Sequence, residues 1–368
     1  MTALSRLVCV GLSTLDLVYR VVAAPGPDEK VVATSQELAA GGPAAGAAVT
    51  AAARGVAPTL VTSLGRHPLA RFAREELAEQ GVTVVDATRQ RADPPALSSI
   101  CVAESSGHRS VVSVNATGVH ASIPSTLDET VAVASVVLVD GHLPELAVAA
   151  ARAAARHGRL VVLDGGSWNP ALVDLLPLVD VAACSAAFRV PGSEPGAASA
   201  VALTERYGVA AVAVTAGPAP VRWWVGAGGG HAGAVQVPAV RARDTLGAGD
   251  AFHGALAAAL VACVAPSIPH EAGGTGETEA AGIGGTERAG TGGAGTRGAE
   301  TGGIGGTERT GIGGVGGGKG IGVDVFVRAL DFACRVAAVR CASVGARAWL
   351  ADPRVAALAA ELPLRGPA

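Results

Sequence analysis

The run Asp244-Thr245-Leu246-Gly247-Ala248-Gly249-Asp250-Ala251-Phe252-His253-Gly254-Ala255 places a carboxylate at the mouth of a glycine turn that leads into an apolar stretch. Gly247 and Gly249 admit backbone conformations and close approaches that a side chain would block. The amides of Gly247, Ala248, Gly249 and Asp250 can therefore converge on one point, at the N-terminus of a helix expected over Ala251–Ala265. Unpaired N–H groups and the helix dipole favour an anion there, such as a transferring phosphate. Asp250 beside that point has the chemistry to accept the proton of an attacking hydroxyl. The competing structural reading makes the glycines turn residues and Asp250 a helix cap.

A second carboxylate stands near the N-terminus. Val8-Cys9-Val10-Gly11-Leu12-Ser13-Thr14-Leu15-Asp16 reads as a buried strand that ends in a turn carrying Asp16. Open α/β sheets bind ligands at strand C-termini, and two acceptor oxygens suit sugar hydroxyls; a turn or cap role is the alternative. Farther on, Gly41-Gly42-Pro43-Ala44-Ala45-Gly46 is a glycine turn before an Ala-rich helix.

Taken together, the C-terminal run resembles the signature of the ribokinase-like (PfkB) carbohydrate kinase family, nearest in pattern to its ketohexokinase/fructokinase-like branch. The resemblance implies ATP-dependent phosphorylation of a hydroxyl of a sugar or sugar-like alcohol, with Asp250 as general base and the 247–250 amides as anion hole. It implies substrate binding by Asp16, Gly41 and Gly42. At position 46, where the family has a sugar-binding Asn, this chain has Gly46, which removes a donor and an acceptor. Many relatives also carry Asn-x-x-Glu after a central strand, where this chain has Ser185-Ala186-Ala187-Phe188. Mg²⁺ would then be held by ATP oxygens and water, without direct protein ligands. Thr215 and Gly217, at the end of a strand, match a family segment beside the ATP phosphates. Cys341 and Gly345 match the last core helix, where adenine contact and helix packing both remain open. Asp244 and Thr245 match a monovalent-cation site found in some relatives, so K⁺ is a further expectation. Arg109 has two readings, a contact to substrate or phosphate and a solvated surface charge.

These residues need a scaffold, and the pattern between them supplies one. Apolar runs at Leu7–Val10, Thr59–Thr62, Val136–Val139, Leu160–Leu163, Val181–Cys184 and Ala210–Thr215 alternate with helical stretches at Ala44–Ala53, Leu69–Gln80, Pro144–His157 and Ala197–Tyr207. Such alternation predicts an α/β fold with a mostly parallel central sheet and helices on both faces. Two stretches, Lys30–Leu38 and Ser98–Val114, are strand-like with polar interruptions, and the second holds a hairpin signal at Glu104-Ser105-Ser106-Gly107-His108. In the ribokinase-like fold such strands form a small β-sheet lid, expected within about 14–39 and 97–118 of a single kinase domain over 1–368. Segment 271–320 holds 22 of the chain's 51 glycines, repeats Gly-Gly-Thr-Glu-Arg, and has almost no large apolar residue. It is expected to be a disordered insertion between two helices, the second being Val323–Ser343. No Lys-Ser/Thr pair ends it as a phosphate-binding Walker loop requires.

Composition excludes several classes. With 368 residues and a formal charge of −3, the chain has size for a large core and no basic excess for nucleic acid. The apolar run at Leu7–Leu12 is soon broken by Asp16 and Arg20, which predicts neither a secretory signal nor a membrane span and hence a cytoplasmic address. The six cysteines include no C-x-x-C pair and the eight histidines no zinc-type spacing, so reduced core thiols and no protein-ligated transition metal are expected. The expected partners are a small-molecule sugar and ATP, with a homodimer through the lid because a small open sheet leaves edges to cover. Two alternatives stand beside the sugar kinase. One is a pseudokinase that senses a sugar or nucleotide without turnover, and the other is a nucleoside kinase of the same fold.

Overall fold

Short Val- and Ala-rich runs that are apolar at every position build strands buried on both faces. The computed structural model describes residues 6–105, 108–264 and 320–362. In chain order its strands are β1 (Arg6–Val10), β2 (Thr14–Val21), β3 (Ser35–Gly41), β4 (Ala57–Thr62), β5 (Thr83–Asp86), β6 (Ala96–Ala103), β7 (Arg109–Ser113), β8 (Val136–Val139), β9 (Leu160–Gly165), β10 (Val181–Ser185), β11 (Ala211–Ala216), β12 (Ala219–Val225) and β13 (His231–Val235). The helices are α1 (Pro43–Ala52), α2 (Pro68–Glu79), α3 (Leu127–Ala132), α4 (Pro144–Arg156), α5 (Leu172–Leu175), α6 (Ala197–Tyr207), α7 (Ala248–Val264), α8 (Val323–Ala342) and α9 (Pro353–Ala359). The segment 271–320, expected to be a disordered insertion, lies outside the described residues except for Gly320, as do residues 106–107 of the expected hairpin turn.

The large sheet has nine strands in the order β13-β12-β11-β10-β9-β8-β1-β4-β5. From β11 to β5 all neighbours run parallel, and the β12–β13 hairpin closes one edge antiparallel. Alternation along β1 sends Leu7 and Cys9 to the face covered by α1, α7 and α8, and Val8 and Val10 to the face covered by α4. Each face therefore has its own apolar cluster. Where α7 crosses α1, Gly254 lies so near that a Cβ there would stand 2.3 Å from the Ala47 carbonyl oxygen. The missing side chain is what lets these two helices meet at backbone contact.

β1 pairs with β4 on one side and β8 on the other, so the chain leaves it in opposite directions. Such a switch point opens a crevice at the strand C-termini, where α/β sheets bind ligands. The chain emerging from β1 enters a second sheet of four strands, β3-β2-β6-β7. Val18, Ile100 and Val102 form its small apolar cluster, with Leu246 from the segment before α7 packed against them.

Several expectations change. Asp16 lies on β2 and not in a turn, paired in register with Ala39 and Ser98. Helix α7 starts at Ala248, three residues before the expected start, so the glycines taken as breakers sit at and inside its first turn. Of the strand-like stretch Lys30–Leu38 only the part from Ser35 is strand, and β3 continues to Gly41. The strands β12 and β13 were not among the expected ones; they add an antiparallel edge to the sheet. Among the described residues no helix is long and apolar enough to cross a membrane. All six cysteines are free.

Candidate active site

Asp250 is the third residue of α7 and opens onto a cleft lined also by Asp16, Gly41, Gly46, Leu246, Gly247, Arg340, Arg347 and Trp349. Gly247 takes a left-handed φ of 71°, which turns the chain into the helix, and its carbonyl accepts from the Ala251 amide at 2.9 Å. The Ala248 amide donates to the Thr245 carbonyl at 3.3 Å. The Gly249 and Asp250 amides have no backbone acceptor among the described residues, as expected for a helix start that can take an anion. Of the four amides assigned to the anion hole, Ala248's is thus already engaged. Burial pushes the Asp250 carboxyl up to about 7; Asp164 and Asp16 add to this, while His253 and Arg340 oppose it. At neutral pH such a group exchanges a proton readily.

The acceptor side of the cleft is built on the small sheet. Asp16 accepts from the Thr14 hydroxyl at 2.6 Å. Its carboxyl is raised by burial, against the lowering effects of hydrogen bonds from Thr14 and Ser98 and the charge of Arg347. The glycines beside it serve protein contacts first. A Cβ on Gly41 would fall 2.0 Å from Asp16 Oδ2, and one on Gly42, whose φ is 91°, would fall 2.6 Å from the Leu12 carbonyl oxygen. Gly46 on α1 faces Asp250 itself, since a Cβ there would lie 2.7 Å from both Cβ and Oδ2 of Asp250. The room a side chain would take at 46 is filled by Asp250. Buried Asp140 ties the two turns together, accepting from the Leu12 amide at 2.7 Å and the Ala44 amide at 3.2 Å.

Fold and site geometry can now be set beside known proteins. The model of the pfkB family carbohydrate kinases matches residues 4–279. The chain belongs to the PfkB family of carbohydrate kinases. A ribokinase of Arabidopsis thaliana is 28% identical over 269 residues, which is 69% of this chain and 70% of that protein. Among solved structures, ribokinase from Giardia lamblia is similar with a TM-score of 0.69 at 17% identity, covering 95% of this chain and 98% of that one. The structure of Arabidopsis thaliana ribokinase complexed with ribose and ATP is similar with a TM-score of 0.67 at 22% identity, covering 97% and 99%. These likenesses show the ribokinase-like fold, with its large mostly parallel sheet and small separate sheet.

The other expected residues of this carbohydrate kinase are distributed around the cleft. Thr215, on β11, donates to the Cys184 carbonyl at 3.3 Å and pairs in register with Ser185 of β10. Gly217 makes the β11–β12 turn with φ 59°. Cys341 lies in the last turn of α8, and its carbonyl accepts the amides of Arg243 at 2.8 Å and Asp244 at 3.2 Å. Gly345, with φ 94°, follows that helix. None of these four lines the Asp16–Asp250 cleft. Arg109 does not line it either; it is exposed and donates to the Thr245 hydroxyl at 2.7 Å. A larger open depression between β13, α8 and α9 holds no expected site residue, and its Arg335 pairs with Asp331 and Glu361.

Sequence reasoning missed four groups that shape this kinase's site. Arg340 is 3% exposed and lines the cleft, its Nε 3.7 Å from where a Gly247 Cβ would be. Arg347 lines it too, paired with Glu76 at 2.7 Å. Buried Asp164 and His253 stand behind the glycine turn, with Nδ1 of the histidine 3.1 Å from Asp164 and 2.8 Å from the Gly249 carbonyl, and Nε2 3.0 Å from the Ala183 carbonyl. Both ring nitrogens thus face oxygens, which fixes the plane of the ring behind the turn. The one available sequence signal was His253, an ionisable residue inside an otherwise apolar helix.

Proposed function

We propose that this kinase transfers the γ-phosphoryl group of ATP to a hydroxyl of a sugar or sugar-like alcohol held in the cleft between Asp16 and Asp250. The observation that carries the proposal is the meeting, in one cleft, of two carboxylates, two guanidinium groups and a helix start with open amides. Asp250 accepts the hydroxyl proton, the Gly249 and Asp250 amides take the oxygens of the transferring group, and Arg340 holds a fixed positive charge beside them. Asp16 orients the acceptor through its hydroxyls, under the small sheet acting as a lid. In this reading ATP lies on the Thr215–Gly217 side, and the ATP complex of the Arabidopsis relative supports ATP as the donor. For Mg²⁺, the described residues gather no group of three or more His, Cys, Asp or Glu that could cage an ion. Its donors fit phosphate oxygens and water, the ligands a hard octahedral ion keeps, and there it would neutralise phosphate charge.

The charge pattern narrows the acceptor. Arg347 is paired with Glu76, and Arg340, beside the glycine turn and 3.6 Å from Asp244, serves the transferring group, so no cation of the cleft is left over for an acceptor phosphate. An uncharged polyol follows, and the ribose bound to the Arabidopsis relative makes a pentose the first to try. Coupled ADP release over pentoses, hexoses, phosphosugars and nucleosides tests this. Turnover is expected with an uncharged sugar. Turnover confined to nucleosides moves the chain to the nucleoside kinases, and binding of ATP and ligand without ADP release makes it a sensor.

We also propose a homodimer through the small sheet. Leu38, Leu97, Val111 and Val112 on it are exposed, Val112 at 75%, and an edge strand with apolar neighbours favours pairing. Light scattering is expected to give twice the chain mass; a monomer mass at all concentrations rejects the interface.

A further inference from the structure

The family resemblance offers a monovalent-cation site at Asp244 and Thr245, and the donors around them do not fit one. Asp244 is 2% exposed. Its Oδ1 accepts from the Leu246 amide at 2.9 Å, and its Oδ2 faces a close ion pair with Arg20, the Gly345 amide at 3.3 Å, and Arg340 Nη2 at 3.6 Å. The Thr245 hydroxyl accepts from Arg109 at 2.7 Å. Every group the described residues aim at these two side chains is a hydrogen-bond donor, and three of them are guanidinium groups. Alkali cations need oxygen lone pairs turned towards them, and the Asp244 oxygens are already turned to donors. Burial alone would raise the Asp244 carboxyl, yet the Leu246 amide together with Arg340 and Arg20 holds it below the usual carboxylate range.

We propose that Arg20 and Arg340 serve as a built-in cation at Asp244, so that this kinase needs no monovalent ion, and that Arg340 is a positioning residue for the phosphate turn. The proposal rests on the phosphoryl-transfer reading of Asp250. Charge on Asp244 fixes the bend Asp244-Thr245-Leu246 from which Gly247 starts α7. Arg340 reaches both ends of that bend, with Asp244 on one side and Gly247 on the other. The two arginines come from different elements, Arg20 from β2 of the small sheet and Arg340 from α8. The neutralised carboxylate therefore also pins the small sheet to the turn, a task a mobile ion would leave to its hydration shell.

The test compares potassium, sodium and choline chlorides at equal ionic strength, reading both turnover and melting temperature. The full-length wild-type protein is expected to show equal kcat/KM and equal melting in all three. A tenfold or larger activation by potassium, or a saturable rise in melting temperature specific to it, overturns the proposal. The melting readout needs no substrate, so it stands even if the ADP-release panel fails. Arg340→Ala is expected to lose about tenfold in kcat in choline and to recover part of it in potassium, because Asp244 then has a free face. Arg340→Lys is expected to restore indifference to the ion. An Arg340→Ala protein that melts cooperatively and turns over like wild type in every salt overturns the positioning role. Where Arg340→Ala does not fold, the wild-type salt series decides.

Discussion

Replacing Asp250 by Asn is expected to lower kcat by roughly 10²- to 10⁴-fold, the usual cost of losing a general base, with ATP affinity kept. Asn has nearly the same shape, so the contact with Gly46 and the helix start survive while the proton acceptor is lost. The same change is expected to make the protein more stable above neutral pH. In the folded protein the Asp250 carboxyl is pushed up to about 7 from 3.8, first by burial and then by Asp164. Between those two values the unfolded chain has released the proton that the folded chain still holds, so stability falls as pH rises through that window. Asn escapes this loss. The gain is therefore absent near pH 4 and complete above about pH 7. Because the cleft admits water to a partly covered side chain, roughly 1–2 kcal/mol is expected, well under the value the full shift would give. Urea melts at pH 4 and pH 8, with kcat at saturating acceptor, read both effects. The wild-type rate is expected to rise through about pH 7 as the carboxylate forms. Near-wild-type kcat in the Asn variant would remove Asp250 from the chemistry. Equal melting at both pH values would show that its burial carries no strain.

Some of this molecule was legible as sequence because the physics was local. Val136–Val139 and Ala197–Tyr207 were bounded correctly, the first by an unbroken apolar run and the second by Gly196 and Gly208, which close a helical pattern. The glycine turn and Asp250 were equally local. Asp16 was placed in a turn because a carboxylate fits a strand poorly; what admits it is a hydroxyl from Ser98 on another strand, which no local pattern reveals. The start of α7 was missed for a similar reason, since Gly249 weakens a helix by propensity and only packing against α1 and α8 overrides it. The arginine cluster was beyond reach altogether. Arg20 and Asp244 are 224 residues apart in the chain, and neither looks unusual alone. Gly46 was read as a lost sugar ligand, when its nearest neighbour turned out to be the proposed base.

That neighbour decides what restoring the family's residue would do. Gly46→Asn is expected to reduce kcat by about 10²-fold, the scale of a roughly 1 Å displacement of a catalytic group, and not to improve the enzyme. A Cβ at 46 would stand 2.7 Å from Asp250 Cβ and Oδ2, closer than atoms can pack, so something must yield. Parting the helices would open the close packing of Gly254 against Ala47 and Thr50 and leave a void between them. Asp250 must therefore rotate away from its turn. Helix propensity pulls the other way, since replacing Gly inside α1 gains about 1 kcal/mol with Ala and a few tenths with Asn, but overpacking costs about 1–3 kcal/mol, and the clash prevails. Gly46→Ala separates the two explanations, as it brings the Cβ without the amide. If the collision governs, Ala and Asn lower kcat alike and the acceptor KM moves little. If the missing Asn governs, Gly46→Asn alone lowers KM and keeps kcat, and the proposed base has more freedom than its contact with Gly46 allows.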